Sequence, residues 1–349
     1  MSLSMNAVNQ LKSELLLAKG GGIYYDAMRS EADDKTASLF VGLGGTGADM
    51  LIRIKNEVMH QMVLPQVNGR IVGDTPNNIG FLAFDTDPET KFKTWGAASF
   101  DKFSSEFCSL AVDNISTVIA SRKNLAENDD PVWRWYDKID PIAGNAGSGG
   151  LRQIGRLMMI ENISKIYTII QDKIKKMVEV NEGIFSVNVA VVTGISGGTG
   201  SGIFIDMAYL LRTVLKDLNI KRNRIFGYIV LPDVNLLKGG QPNMLWANGF
   251  AFLKELNYWM SQGSDGRSNK FVQNYGNGVE ANITSRVCSY CFLLSSQDLN
   301  DKSLTYDKVI SSMAENVFTY IAGGECGEQT IGNSSRARLL DTITTGSRS

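Results

Sequence analysis

Near-continuous apolar runs alternate along the chain with segments whose apolar residues recur at helical spacing. The runs ASLFVGL, NIGFLAF, FSVNVAVV, RIFGYIVL and VCSYCFLL are typical of strands buried on both faces. After the first run, Met50, Leu51, Ile54, Val58 and Met62 repeat with a period near 3.6 residues, which predicts an amphipathic helix. This alternation predicts an α/β fold, a doubly wound, mainly parallel sheet with helices on both faces.

The segments between these runs are predicted from the same periodicities. Residues 91–140 are expected to be irregular, with short helices and loops over the sheet. Residues 144–180 are predicted to be a glycine-rich loop that runs into one long amphipathic helix. NMLWANGFAFLKELNYWM and LTYDKVISSMAENVFTYIAGG are predicted to be helices, the second ending at Gly323.

Composition narrows the classes of function. The 349 residues include 35 Lys and Arg against 36 Asp and Glu, a balance that argues against a mainly electrostatic binder of nucleic acid. No apolar run approaches the roughly 20 residues that cross a bilayer. MSLSMNAVNQLKSELLLAKGGG has no small-residue cleavage site, so a secretory signal is not expected. We therefore expect a cytoplasmic protein with no membrane span and no direct contact with nucleic acid.

Cysteine and histidine offer little chemistry. Four cysteines are too few for a disulfide framework in a chain of this length. Cys288 and Cys291 match C-x-x-C, but a spacing of three places them on opposite faces of the predicted strand, so core cysteines are favoured over a redox or metal pair. The single histidine, His60, is expected at a partly exposed helix position, which argues against a hydrolase triad and a His-based metal site.

Four loops are predicted to meet at one edge of the sheet, outside the carboxyl ends of parallel strands. They are the first loop GLGGTGAD (42–49), the second loop DTDPE (85–89), the third loop GNAGSGGLR (144–152) and the fourth loop TGISGGTGSGIF (193–204). Glycine lets backbone N–H groups approach an anion, and helix N-termini carry partial positive charge. The three glycine loops therefore predict a polyphosphate site, with hydroxyl donors from Thr46, Thr199 and Ser201.

The acids of the second loop need a cation. Asp85 and Asp87 would repel a phosphate, and a hard divalent ion between them removes the conflict, as Mg²⁺ binds through one or two carboxylates, waters and phosphate oxygens. The glycine loops contain no lysine and no G-x-x-x-x-G-K-[ST], so this is not a P-loop protein, and Arg152 is the expected basic contact. Taken singly, the first loop also fits a dinucleotide fingerprint, the fourth loop fits a tight turn, and the second loop fits a helix cap.

The order of these motifs resembles the tubulin/FtsZ superfamily, and the chain is similar to a divergent bacterial tubulin-like protein rather than to FtsZ itself. SGGTGSG resembles the signature loop [GA]GGTG[ST]G, VGLGGTGADML is similar to the first glycine loop of FtsZ, and GSGGLRQIGRL resembles the loop that closes around the γ-phosphate. The resemblance implies an N-terminal extension (1–37), a nucleotide-binding domain (38–303) and a central-helix region with a tail (304–349), so that a second domain is short or missing.

The resemblance also implies the residues that hold GTP or GDP and Mg²⁺. Phosphates would be lined by Gly44, Gly45, Thr46, Gly47, Gly197, Gly198, Thr199, Gly200 and Ser201, and the γ-phosphate by Ala146, Gly147 and Ser148. Asp49, Gly149 and Arg152 of the same loops are assigned to the nucleotide site as well. Asp85 and Asp87 would position Mg²⁺, and Asp233 and Asn235 would lie near the ribose. Tyr306 is the candidate for stacking on guanine, its alternative role being that of an ordinary interfacial tyrosine.

By resemblance the protein binds GTP, hydrolyses it by Mg²⁺-assisted attack of water on the γ-phosphate, and self-assembles into filaments or oligomers. In the family an acidic loop of the form N-x-D-x-x-D/E follows the central helix and completes the neighbour's site, but IAGGECGEQTIGNSS follows Tyr320 here. The catalytic residue is therefore not assigned, and the chain is either a fragment of a longer protein or binds nucleotide without the usual hydrolysis.

Two alternatives to a GTPase remain. One is a nucleotide-gated interaction or scaffold module with negligible turnover, whose adaptor partner the sequence does not identify. The other is a Rossmann oxidoreductase, which predicts an acid about 20 residues after the first glycine loop. The acids here come about 40 residues after that loop and as a doublet, and the fourth loop would have no role.

Overall fold

The structure, a computed structural model, describes residues 36–62, 66–67, 70–71, 75–100, 106–126, 147–179, 186–262, 271–297 and 304–321. Ala146, most of the predicted N-terminal extension and the chain after Ile321 lie outside the described residues. The domain boundaries predicted from the sequence therefore stay predictions.

The described residues form strands and helices in alternation. The strands are β1 (Thr36–Leu43), β2 (Gln66–Val67), β3 (Arg70–Ile71), β4 (Ile79–Asp85), β5 (Thr94–Trp95), β6 (Ala98–Ser99), β7 (Phe107–Ser109), β8 (Ser186–Gly194), β9 (Arg222–Val230), β10 (Phe271–Gly276), β11 (Val279–Ile283) and β12 (Tyr290–Leu294). The helices are α1 (Gly44–Met62), α2 (Ile115–Ala126), α3 (Arg152–Glu161), α4 (Ile163–Glu179), α5 (Gly198–Asp217), α6 (Pro232–Leu236), α7 (Pro242–Met260) and α8 (Tyr306–Ile321), with a 3-10 helix at Pro88–Phe92.

Six strands form one sheet in the order β12-β9-β8-β1-β4-β7, and every neighbouring pair in it is parallel. The chain enters at β1, winds outward through β4 and β7, and returns to β8 on the other side of β1 before it continues to β9 and β12. The direction of winding reverses between β1 and β8, where an open α/β sheet leaves a crevice at the carboxyl ends of its strands. The predicted doubly wound parallel sheet is confirmed.

The core lies on both faces of this sheet, which explains why its strands are apolar without interruption. Leu39 and Val41 of β1 belong to one buried cluster with α4 and α5, whereas Phe40 between them belongs to a second cluster with α1 and α8. Alternate residues of one strand thus serve opposite layers. Within the described residues, no helix is both long and apolar enough to cross a membrane.

Three features differ from the sequence predictions. The helix predicted after the third loop is divided into α3 and α4 at Asn162, whose side-chain amide donates to the carbonyl oxygens of Leu110 (3.2 Å) and Met158 (2.9 Å). The region predicted to be irregular contains β7, which extends the sheet but is too short to show a period. His60, expected to be partly exposed, is exposed at the end of α1.

The prediction that Cys288 and Cys291 face opposite sides is wrong. Cys288 precedes β12, so strand alternation does not govern the pair. A Cβ built on Gly227 would lie 3.1 Å from the Cys291 sulfur and 3.5 Å from the Cys288 sulfur, which places both thiols on the same side of β9. Cys288 is buried, and this burial raises the pKa of its thiol well above the usual value, as expected of a core cysteine.

Helices α3 and α5 pack with their backbones in contact, and this contact holds the third loop against the fourth. A Cβ on Gly155 of α3 would lie 2.5 Å from the carbonyl oxygen of Gly198. A Cβ on Gly202 of α5 would collide with the carbonyl oxygen of Arg152. Both carbonyl oxygens belong to the backbone, so neither can move unless the helices separate. Packing therefore requires glycine at both positions.

Gly202→Ala is therefore expected to lower the free energy of unfolding by about 1–3 kcal/mol, the usual cost of overpacking. Gly45→Ala is the matched control, because a Cβ at this early helical position meets only the Asp85 Oδ2 atom, at 3.8 Å. Urea denaturation of both variants measures the effect. Equal stability of the two variants would contradict the proposed helix contact.

Candidate functional site

A cavity of about 580 Å³ opens at the reversal of the sheet, where β1, β4 and β8 end in Leu43, Asp85 and Gly194. The four loops predicted from the sequence all contribute to its wall. The lining residues are Leu43, Gly44, Gly45 and Thr46; Asp85, Thr86, Asp87, Glu89, Thr90 and Lys93; Gly147, Ser148 and Gly150; and Gly194, Gly197, Gly198, Thr199 and Gly200.

Several glycines of the first and fourth loops lie where two segments of backbone come close together. Gly44 has a φ of +69°, and a Cβ there would lie 2.9 Å from the Gly200 nitrogen. A Cβ on Gly47, which does not line the cavity, would lie 2.5 Å from the carbonyl oxygen of Val192. These glycines bring the two backbones together across the reversal of the sheet.

Gly45 and Gly197 differ, because little or nothing of the protein lies where their side chains would be. A Cβ on Gly197 would meet no atom within 4 Å, and its φ of −85° and ψ of 168° suit any residue. The fold therefore does not require glycine at 197. A side chain at 197 would enter open space at a residue that lines the cavity.

Two helices begin at this cavity, α1 at Gly44 and α5 at Gly198, and neither has an acidic residue in its first turn. The N-cap of α5 is Gly197, and no side chain caps the helix. The first N–H groups of a helix have no partner within the helix, so these two N-termini offer donors and partial positive charge to an anion.

Three hydroxyl groups join the second, third and fourth loops in the cavity wall. Thr86 Oγ1 lies 2.6 Å from Thr199 Oγ1 and accepts a hydrogen bond from the Ser148 N–H at 3.1 Å. Ser148 Oγ lies 3.3 Å from Thr199 Oγ1. Sequence reasoning identified Ser148 and Thr199 but missed Thr86, although it lies between the two acids that were chosen.

The acids of the second loop reach the cavity in different states of burial. Asp85 is buried and accepts hydrogen bonds from Thr90 Oγ1 (2.7 Å) and the Asp87 N–H (3.4 Å). Burial raises the pKa of Asp85, and the hydrogen bond from Thr90 only partly opposes this. Asp87 is exposed and caps the 3-10 helix by accepting from the Glu89 N–H at 2.9 Å. In the described part of the chain, no three His, Cys, Asp or Glu side chains form a metal-binding group.

Among the residues that the structure describes, Lys93 is the basic one that lines the cavity. Sequence reasoning missed it because Lys93 follows the second loop and lies in none of the four. Arg152, the expected basic contact, does not line the cavity. Its guanidinium donates to Glu255 Oε1 at 3.0 Å and to the Ser201 carbonyl oxygen at 3.0 Å. Ser201 also lies outside the lining, and its hydroxyl donates to the carbonyl oxygen of Gly197.

Asp49 also lies behind the wall, where it is the centre of a charged cluster. It accepts hydrogen bonds from Lys93 Nζ (2.5 Å), Lys238 Nζ (2.6 Å) and the Tyr306 hydroxyl (2.8 Å). Burial alone would raise the pKa of Asp49, but the hydrogen bonds and the positive charges of Lys238 and Lys93 together outweigh it, and the pKa is lowered. Lys238 Nζ lies 3.8 Å from the centre of the Tyr306 ring.

The two residues expected near a ribose are separated by the structure. Asn235 reaches the first loop, since its amide donates to Thr46 Oγ1 at 2.9 Å and its oxygen accepts from Ser196 Oγ at 3.2 Å. Asp233 instead accepts from the Ser295 hydroxyl (2.7 Å) and the Ser296 N–H (2.5 Å) after β12. Gly149 is another assigned residue that does not line the cavity.

Comparison with known proteins relates the chain to one family. A family model described as "Tubulin like" matches residues 39–343. No curated protein matches the sequence. Among solved structures, the chain is similar to CetZ2 from Haloferax volcanii in a GTPγS-bound protofilament, with 13% identity, a TM-score of 0.45, and coverage of 87% of this chain and 62% of that chain.

Two further solved structures show a similar degree of likeness. The FtsZ dimer of M. jannaschii has 15% identity and a TM-score of 0.41, with coverage of 86% of this chain and 57% of that chain. TubZ of Bacillus thuringiensis serovar israelensis, in a GTPγS-form protofilament, has 12% identity and a TM-score of 0.42, with coverage of 82% and 56%. The chain thus spans less than two thirds of the length of each of these proteins.

The raised pKa of Asp85 means that its charge destabilises the ligand-free fold at neutral pH, and that this penalty is relieved as the pH falls toward the folded pKa. We expect Asp85→Asn to raise the melting temperature by a few degrees at neutral pH, with a gain that shrinks in acid. The exposed Asp87 provides the control, since Asp87→Asn keeps a good N-cap and removes only the smaller repulsion that its charge adds to Asp85, so its gain should be much smaller. A lower melting temperature for Asp85→Asn would contradict this prediction.

Proposed function

This chain belongs to the tubulin-like family, and we propose that it binds GTP or GDP together with Mg²⁺ in the cavity where β1 and β8 end, and that it self-associates. The observation that carries the proposal is the meeting of two helix N-termini, those of α1 and α5, neither with an acid in its first turn, at one cavity beside a carboxylate pair. Helix N-termini by themselves favour any anion. Helix N-termini next to carboxylates favour a polyphosphate, because a polyphosphate binds together with a divalent cation.

The phosphates would be held by the first turns of α1 and α5. The open space at Gly45 and Gly197 supports close approach of a ligand to the backbone at these positions. The hydroxyls of Thr46 and Thr199 line the same wall, and Gly147 and Ser148 face it from the third loop. The missing side chains of Gly44, Gly47, Gly198 and Gly200 would in addition keep the chain segments around the cavity in close contact, and the Ser201 hydroxyl would act indirectly through its hydrogen bond to Gly197.

The acid pair fits a hard divalent cation, because its donors are oxygen atoms and the Asp85 carboxylate is buried in a wall where a nearby positive charge would stabilise it. Asp85 and Asp87 would hold Mg²⁺, together with waters and phosphate oxygens. The ion would neutralise charge on the phosphates. The pair is too small to be a complete protein-only site, in agreement with a cation that arrives with its nucleotide.

The nucleoside would lie beyond the phosphates, toward Asn235 and Tyr306. The hydrogen bond between Asn235 and Thr46 supports a position of Asn235 near the ribose. Tyr306 is proposed to contact the base. Lys238 Nζ lies over one face of its ring, so stacking there requires the lysine to move aside.

Two functional outcomes of binding are proposed, and they differ in turnover. The first is a self-assembling GTPase, since the matched CetZ2 and TubZ structures are protofilaments. The second is a nucleotide-gated interaction or scaffold module with negligible hydrolysis, favoured by the absence of an N-x-D-x-x-D/E pattern in the sequence after Tyr320. In both, the nucleotide orders the same loops.

Titration of the purified protein with GTP, GDP, ATP and NAD in the presence of Mg²⁺ tests the nucleotide. We expect GTP and GDP to bind with similar affinity and NAD not to bind; preference for NAD or binding of no nucleotide would contradict the proposal. Phosphate release against protein concentration then separates the two outcomes. A GTPase completed by self-assembly gives a rate that rises more steeply than linearly, and a gated module releases almost no phosphate.

Gly197→Ala tests whether the open space holds the ligand. Because a Cβ there meets no protein atom, the melting temperature of the ligand-free variant should equal that of the wild type. Affinity for GTP should fall by at least about tenfold, roughly 1.4 kcal/mol, and Gly197→Val should weaken binding further. Unchanged GTP affinity in both variants would show that the ligand does not approach this position.

A further inference from the structure

The described side chains that line the cavity carry more negative than positive charge, and those of the glycine loops that line it add no basic group. Of the charged side chains that line it in the described part of the chain, Asp85, Asp87 and Glu89 are acids and Lys93 alone is a base. We infer that Lys93 is a phosphate-binding residue, which transfers its ammonium group from Asp49 to the phosphates when the ligand enters. This inference rests on the proposed function and adds to it a specific side-chain contact.

The cluster that holds Lys93 carries excess positive charge. Lys93 and Lys238 share the single carboxylate of Asp49, so two ammonium groups face one negative charge. Tyr306, the third partner of Asp49, remains neutral, since burial and then the nearby Asp49 charge raise the pKa of its hydroxyl. One positive charge beside the cavity is therefore left without a counter-charge in this cluster.

The transfer costs little because Asp49 does not lose all its partners. When Lys93 leaves, Asp49 still accepts from Lys238 Nζ at 2.6 Å and from the Tyr306 hydroxyl at 2.8 Å. A buried carboxylate left with no partner would be costly, and here that state is avoided. The Lys93 side chain is 29% exposed, so its ion pair with Asp49 is partly screened by water.

Two other basic residues, Arg152 and Lys55, lack this freedom. Release of Arg152 would break its pairing with Glu255 and its hydrogen bonds to the carbonyl oxygen of Ser201. Lys55 is buried against Glu106 and also donates to the Ser99 carbonyl oxygen. Neither residue lines the cavity, whereas Lys93 does.

The local backbone couples Lys93 to the acid pair. Lys93 directly follows the 3-10 helix Pro88–Phe92, and its N–H donates to the carbonyl oxygen of Thr90 at 3.1 Å. Thr90 in turn donates to Asp85, and Asp87 caps the same helix. One short hydrogen-bonded segment therefore presents the carboxylates proposed for Mg²⁺ and the ammonium proposed for phosphate, which are complementary contacts to one polyphosphate.

Titration calorimetry at constant Mg²⁺ with guanosine, GMP, GDP, GTP and inorganic tripolyphosphate tests the inference on Lys93→Gln. We expect a loss that grows with the number of phosphates, from less than about threefold for guanosine to about 10–100-fold for GTP and tripolyphosphate, the range for a charge-assisted hydrogen bond. Lys93→Arg, which keeps the charge, should recover most of the affinity.

Lys91→Gln is the matched control, because Lys91 is an exposed lysine of the same 3-10 helix that does not line the cavity and packs over Phe92. It should stay within about threefold of the wild type for every ligand, since surface charge has a small effect. Equal losses in Lys93→Gln and Lys91→Gln, or a Lys93→Gln loss as large for guanosine as for GTP, would overturn the inference. Failure of Lys93→Gln to fold would also overturn the inference, because release of Lys93 from Asp49 would then be costly.

Tripolyphosphate separates this inference from the proposed function. If the wild type binds tripolyphosphate through Lys93 but no guanine nucleotide, the phosphate contact stands and the proposed nucleoside is wrong. If the wild type binds GTP and Lys93→Gln binds it equally well, the proposed function stands and the contact is wrong. If the wild type binds neither ligand, both are wrong.

Discussion

The close approach of two backbones, at the reversal between β1 and β8, is the constraint on which the site depends. Gly44 and Gly200 touch there, and a side chain on either would force the loops apart. The contact sets the separation of the N-termini of α1 and α5, because both helices begin in these loops. The cavity lies at these N-termini, at the reversal of strand order where open α/β sheets bind their ligands.

Around this contact the site brings opposite charges together. Two helix N-termini, several hydroxyl-bearing residues and the acids Asp85 and Asp87 all line the same cavity. Behind the wall, Asp49 collects Lys93, Lys238 and Tyr306. Such an arrangement accommodates a polyanion and a cation together better than either alone, which is why the proposed function and the proposed contact of Lys93 share one physical basis.

Sequence reasoning succeeded where local pattern and chemistry coincide. Apolar runs identified the five long strands of the sheet, and glycine together with helix periodicity identified the loops at their ends. It failed where a residue acts through a distant partner. Asn162 divides a helix by bonding to Leu110, Thr86 joins loops far from it in sequence, and Lys93 reaches the cavity from outside every motif. No periodicity signals such contacts.

The sequence by itself determined the fold class and the set of loops that meet, because strand burial, helix periodicity and glycine spacing are local properties of the chain. The family came from the resemblance of its loop motifs to those of known proteins. Only the tertiary structure decided what each residue of those loops does. It separated Gly197, which faces open space, from Gly47 and Gly202, which are required by packing, and it directed Arg152 to Glu255 and Lys93 to the cavity. The physical reason is that a side chain's partner is chosen by distance in space, and spacing along the chain does not encode that distance.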